Sequence, residues 1–154
     1  MNRWQRAGGS RGMDEHCADP ARRAFDFWLG SWEVRGPAGR MAGHNEITSL
    51  FNGCALREEW TGVSGHRGTS LNAYSPDTGR WHQTWVDVEG QLLLLDGGLV
   101  GGAMVLEGVA GGVRHRISWS LIDGDAERVR QHWETSADGA TWETAFDGRY
   151  SRIR

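Results

Sequence analysis

Glu58, Asn72, Gln83 and Asp96 have the most chemistry to offer, because alternation along their segments turns all four to one side. Amides and carboxylates on a shared face can orient a ligand through directional hydrogen bonds. A carboxyl group raised in pKa by burial can also move protons. Glu58 or Asp96 acting with His115 would therefore suit an isomerase, cyclase or hydratase. The same four residues could instead form a satisfied network that only fixes strand register. His115 is the histidine that alternation turns inward, whereas His82 and His132 turn outward. Trp60, Tyr74, Trp81, Trp85, Trp119, Trp133 and Trp142 share the inner side, and Gln131 joins them. Aromatic rings offer stacking area, and indole N–H groups act as donors. These residues are the candidate ligand-binding set, with no catalytic residue and no metal ligand assigned.

Other motifs carry less. His44-Asn45-Glu46 has the His-x-Glu of zinc deaminases but lacks their Pro-Cys-x-x-Cys partner. Gly62-Val63-Ser64-Gly65-His66 is no nucleophile elbow, because position 66 is not glycine. Gly97-Gly98 and Gly101-Gly102 lack the Lys-Ser/Thr of a phosphate loop and read as a turn at a rim.

The elements that position these residues follow from periodicity. Asp19 suits an N-cap, Pro20 a first helical position and Gly30 a C-terminal stop, which predicts one helix over 20–29. Its apolar residues would lie on a core as a lid. After Gly30 the period changes to two. Strands are expected over 31–35, 44–51, 55–61, 68–75, 80–88, 91–96, 103–108, 113–121, 127–135 and 141–150. Short turns between ten antiparallel strands predict an all-β, up-and-down barrel, which leaves no open edge.

Turn lengths suggest registers. A four-residue loop at 76–79 sets Tyr74 opposite Trp81, Asn72 opposite Gln83 and Ser70 opposite Trp85. A two-residue loop at Glu89-Gly90 sets Gln83 opposite Asp96 and Trp85 opposite Leu94. A four-residue loop at 136–139 sets Trp133 opposite Trp142 and Gln131 opposite Thr144. Across the 62–68 loop, Trp60 is set opposite Ser70 and Glu58 opposite Asn72. The inner belt is then Glu58, Asn72, Gln83, Asp96, Met104, Ile117, Gln131 and Thr144. One aromatic layer holds Tyr74, Trp81, Trp119 and Phe146, and the other Trp60, Trp85, His115, Trp133 and Trp142. Such a polar belt is costly in a close-packed core, which points to a cavity.

The whole chain of 154 residues is the size of one domain. Residues 1–18 are expected as an irregular arm, with Met13 a second possible start, and 19–154 as the barrel. Glycine at 23 residues against 3 prolines fits many tight turns. All 17 basic residues are arginine, yet the net charge is −3, which argues against nucleic acid as a partner. No apolar run approaches the ~18 residues of a membrane helix, and the N-terminus lacks an apolar leader. Cys17 and Cys54 are too few for a disulfide scaffold, so free thiols and a cytoplasmic setting are expected. A third reading is a protein-interaction module with a filled core, in which Leu93, Leu95 and Val105 would line the outer face and could mark a homodimer contact.

The segments also carry a resemblance. Phe25-Asp26-Phe27-Trp28-Leu29-Gly30-Ser31-Trp32-Glu33-Val34 and Gly53-Cys54-Ala55-Leu56-Arg57-Glu58-Glu59-Trp60 resemble an uncharacterised bacterial lipocalin-like family. So do Gly68–Tyr74, Trp81–Asp87 and Ser136–Trp142, and the likeness spans about 22–152. The family is similar to the calycins, which include lipocalins, fatty-acid-binding proteins and nitrobindins. The resemblance implies a ten-stranded barrel with an internal cavity and no established reaction. Nitrobindins hold haem through a histidine near the C-terminus and carry a Gly-x-Trp-x-Gly-x-Gly-x-Gly pattern. Here Trp32-Glu33-Val34-Arg35-Gly36 departs from it and no histidine follows His132, so no haem or other cofactor is expected. The expected partner is a small, partly apolar ligand.

Overall fold

The computed structural model describes residues 17–154. Almost all of the arm expected over 1–18, Met13 included, lies outside them. Ten antiparallel strands close into an up-and-down barrel. They are β1 (Gly30–Arg35), β2 (Met41–Leu50), β3 (Ala55–Gly62), β4 (Arg67–Ser75), β5 (Arg80–Asp87), β6 (Leu92–Val100), β7 (Ala103–Ala110), β8 (Val113–Ile122), β9 (Asp125–Ser136) and β10 (Glu143–Arg152). Each neighbour in sequence is a neighbour in the sheet, and β1 closes on β10. Gly101 and Gly102 both have positive φ, 57° and 82°, which lets a two-residue turn join β6 to β7. Among the described residues, no helix is long and apolar enough to cross a membrane.

The helix expected over 20–29 is broken in two. Asp19 does cap it, accepting from the Ala21 N–H at 2.9 Å, with Pro20 at the first position. Helix α1 then runs only over Pro20–Arg23, and a 3₁₀ turn follows over Asp26–Trp28. Phe25 sits between them at φ −101°, ψ 5°. That kink lets Phe25 and Trp28 both enter the barrel, where they stack at 4.9 Å.

The expectation of free thiols is overturned: Cys17 and Cys54 form a disulfide, with Cα atoms 4.9 Å apart. It ties the residues before α1 to the β2–β3 turn. Arg23 reinforces the tie by donating to the Gly53 carbonyl at 3.3 Å.

Three registers differ from the sequence reading. Between β5 and β6 the loop is 88–91 rather than two residues, and Trp85 pairs with Leu93 and Gln83 with Leu95. The cause is Asp87, whose carboxylate accepts from the N–H groups of Glu89 and Gln91 and ends the strand early. The slip of one residue turns β6 over. Leu93 and Leu95 are buried, and Leu92 and Leu94 face out. Of the outer-face residues expected to mark a dimer contact, only Val105 remains, half-buried. Between β9 and β10, a bulge at Ala145 sets Trp133 opposite Phe146 and Gln131 opposite Gly148. Between β3 and β4 the offset is two residues: Glu58 faces Ser70 and Trp60 faces Gly68, which keeps every side chain on its expected face. The β4–β5 register is as expected, with Tyr74 on Trp81, Asn72 on Gln83 and Ser70 on Trp85.

Candidate functional site

The barrel has one plugged end and one open end. At the plugged end Phe25 and Trp28 descend among Trp81 and Trp119, with ring centroids 5.1–5.6 Å apart across the cluster. Trp81 Nε1 donates to the Ala21 carbonyl at 3.0 Å, so the wall holds the plug by a hydrogen bond as well as by packing. Tyr74 lies 6.3 Å from Trp81 on the same side. Tyr74, Trp81 and Trp119, expected to contact a ligand, are therefore part of a filled core.

At the other end the rings stand around a cavity of about 420 Å³. Trp60, Trp85, Trp133 and Phe146 form its aromatic wall, and Leu93 and Ile117 lie deeper. The glycine pattern helps to shape it. The Trp85 ring lies flat against Gly68, where a Cβ would meet the ring edge. Phe146 contacts Trp60 at 5.9 Å, so it belongs to the open layer and not to the layer first assigned to it. Asp87 anchors the rim. It accepts from Trp85 Nε1 at 3.0 Å, and His66 Nε2 lies 3.4 Å away. Burial pushes the Asp87 carboxyl up, but hydrogen bonds from the Gln91 N–H, Trp85, the Glu89 N–H and His66 outweigh it and hold it below the usual range.

The cavity floor is a continuous hydrogen-bonded arc. Gln83 Nε2 donates to Asn72 Oδ1 at 2.7 Å, and Asn72 Nδ2 donates to Ser70 Oγ at 2.9 Å. Ser70 Oγ donates to Glu58 Oε1 at 2.7 Å, while Asn45 Nδ2 donates to Glu58 Oε2 at 2.7 Å. Asn45 Nδ2 also donates to the Tyr150 hydroxyl at 2.8 Å, which itself donates to Gln131 Oε1 at 2.5 Å. Glu58, Gln83, Gln131 and Tyr150 line the cavity. Glu58 is only 4% exposed and no basic side chain touches it among the described residues. Burial pushes its carboxyl pKa up, against the hydrogen bonds from Asn45 and Ser70 that lower it. Burial, and then the nearby Glu58 charge, push the Tyr150 phenol well above its ordinary value.

Asn45, Ser70 and Tyr150 were missed by the sequence reading. Asn45 lies on the Gly43-Asn45-Ile47 face of β2, and Ser70 on the face of Asn72, so alternation carried a signal for both. Tyr150 is in phase with Phe146 on β10, so alternation carried a signal for it as well.

Two candidate residues leave the site. Asp96 points outward with β6 turned over, where His82 Nδ1 meets it at 2.9 Å. Trp142 lies outside the strand, beneath the Arg116 guanidinium at 3.9 Å. Thr144, placed in the inner belt, also faces out, 3.0 Å from His132. His115 is inside, but its Nδ1 accepts from Trp133 Nε1 at 3.1 Å and it braces the wall without lining the cavity. Burial lowers its pKa, which favours the neutral ring that this acceptor role requires. Of the two carboxyl groups expected to act with His115, Asp96 is therefore on the opposite face of the wall from it, and Glu58 alone shares the interior. Met104 and Ile117 complete the belt as expected, both buried. No known family pattern matches the chain, and no curated protein matches it in sequence.

Proposed function

We propose that the protein binds a small, partly apolar molecule in the open end of its barrel. The observation that carries this reading is the cavity itself. One end of the barrel is filled to contact by its own aromatic side chains, while the other leaves about 420 Å³ between similar side chains. That volume lies within the ~300–1,000 Å³ of ordinary ligand sites, and an aromatic wall over a few polar groups is their usual composition. The lipocalin-like resemblance points the same way. The bridged Cys17–Cys54 pair favours an oxidising compartment over the cytoplasm expected from the sequence.

Native mass spectrometry of freshly purified protein, followed by denaturing spectra of the same sample, tests the reading. A retained adduct that is lost on denaturation is expected, and Trp133→Ala should reduce its occupancy. An adduct of equal occupancy in Trp133→Ala would place the ligand elsewhere. Protein that carries no adduct and whose tryptophan fluorescence is unmoved by neutral aromatic probes at millimolar concentration would overturn the reading.

A further inference from the structure

The direction of the hydrogen bonds in the floor can be traced from two fixed acceptors, the Leu56 carbonyl and the Glu58 carboxylate. Asn72 Nδ2 donates to the Leu56 backbone carbonyl at 3.4 Å, a group that can only accept. Asn72 must therefore turn its Oδ1 toward Gln83, and Gln83 must answer with its Nε2. That leaves Gln83 Oε1 with no hydrogen-bond partner among the described residues, on a side chain that lines the cavity. At the far end of the arc, the Tyr150 oxygen accepts from Asn45 and so donates its proton to Gln131 Oε1. Gln131 Nε2 then has no hydrogen-bond partner among the described residues, on a second cavity-lining side chain. Amide orientation is an assignment from partners: the Leu56 carbonyl sets Asn72 and Gln83, and the Glu58 carboxylate, accepting from Asn45, sets Asn45, Tyr150 and Gln131.

The arc runs through β5, β4, β3, β2, β10 and β9. The rest of the wall, β6 to β8, presents Leu93, Leu95, Met104, Leu106 and Ile117. The floor therefore offers one acceptor and one donor on its polar side and faces an apolar side, while Ser64, Glu89, Gln91 and His66, the last set against Asp87, line the rim. Neither arginine nor lysine lines it. Both oxygens of Glu58 are already engaged by Ser70 and Asn45.

Building on the binding function proposed above, we infer that the ligand is an uncharged, flat ring system that carries both an N–H and a carbonyl. Its N–H would donate to Gln83 Oε1, its carbonyl would accept from Gln131 Nε2, and its hydrocarbon edge would lie against Leu93 and Ile117. The tryptophans would cover its faces. An anion would meet no counter-charge and would lie beside a buried carboxyl group. A hydrocarbon of the same shape would leave the two amide groups dry and unpaired, which a site built for hydrogen bonds penalises.

The test is a titration of the intact protein, followed by tryptophan fluorescence, with four matched bicyclic probes: 2-quinolone, naphthalene, 2-naphthoate and N-methylquinolinium. The inference expects 2-quinolone to bind at least tenfold tighter than naphthalene, and 2-naphthoate to bind weakest. Gln131→Met should bring 2-quinolone down to the level of naphthalene. Gln83→Met should do the same, with urea unfolding of each variant showing that the fold persists. Naphthalene binding as tightly as 2-quinolone would overturn the need for an N–H and a carbonyl and leave the binding function standing. Tightest binding by N-methylquinolinium would overturn it in favour of Glu58 as a counter-ion beneath an aromatic cage. Binding of none of the four would fail the binding function itself.

Discussion

The two ends of the barrel are built from the same kind of residue and do opposite things. Trp81 and Trp119 at one end and Trp60, Trp85 and Trp133 at the other all point inward from paired strands. What differs is the segment before β1. Phe25 and Trp28 reach down from the N-terminal side and fill the space between the first group. Among the described residues nothing descends between the second group, whose loops at 63–66 and 88–91 stay at the rim. An inward tryptophan is thus core or cavity wall according to whether another element supplies its missing neighbours. The same contrast holds for polar atoms. Trp81 Nε1 has a backbone acceptor in the plug, whereas Trp85 and Trp133 spend their indole protons on Asp87 and His115 and keep their rings upright around the opening.

The largest effect should come from emptying the filled end. Trp28→Ala removes a fully buried ring stacked on Phe25 and set against Trp119, and should cost about 3–5 kcal/mol of stability. Trp133→Ala removes a half-buried ring that faces a void on one side, so the loss should be well under half of that. Urea unfolding of the two variants measures the difference. Equal losses would mean that the open end is as closely packed as the plugged end, and the contrast would fail.

How far the sequence foretold this contrast can be read strand by strand. Alternation placed Gln83, Trp85, His115, Trp119, Gln131 and Trp133 inside, and so they are. It works where one face is buried and strand phase is unbroken. It fails where a side chain or an extra residue resets the phase. Asp87 ends β5 with its own carboxylate and so reverses β6, which removes Asp96 from the site. The bulge at Ala145 reverses the start of β10 against its end, so that Trp142 and Thr144 leave while Phe146 and Tyr150 stay. Neither event has a periodic signature. The partition of the tryptophans into core and wall was equally illegible, because it depends on the kink at Phe25. The disulfide joins residues 37 apart in sequence, which only the fold brings together.

That disulfide offers the next test of the contrast, since it lies wholly at the plugged end. Closing a loop of this length restricts the unfolded chain by an amount worth about 3–4 kcal/mol in the chain-entropy account. Reduction, or Cys17→Ser with Cys54→Ser, should lower stability by up to that amount. Probe affinity at the open end should be unchanged, because the plug remains tied through Trp81 to Ala21 and through Arg152 to the Leu29 carbonyl. Thermal unfolding with and without reductant, beside a fluorescence titration, separates the two readouts. A parallel fall in affinity would show that the ends are coupled through the wall.

Glu58 sits between the two ends and should give the smallest effect at neutral pH, but one with a definite sign. Its folded-state pKa is raised by burial, so protonation is easier in the folded protein than in the unfolded chain. The stability linked to this group is therefore fully present below the unfolded value of 4.5 and is lost as pH rises through the folded value. Across that window the slope contributed by one proton is at most about 1.4 kcal/mol per pH unit. Glu58→Gln removes the titrating group. Its amide keeps an acceptor for Ser70 and can donate to Asn45 once that side chain turns over, with the Tyr150 hydroxyl and the Gln131 amide reversing to match. Stability of wild type minus that of Glu58→Gln should thus decline as pH rises above 4.5, and flatten once the folded-state carboxyl is ionised. A constant difference across pH 4 to 9 would mean that Glu58 ionises as readily inside the barrel as outside. The floor would then have to be as wet as the rim, and the polar arc would lose its separation from solvent.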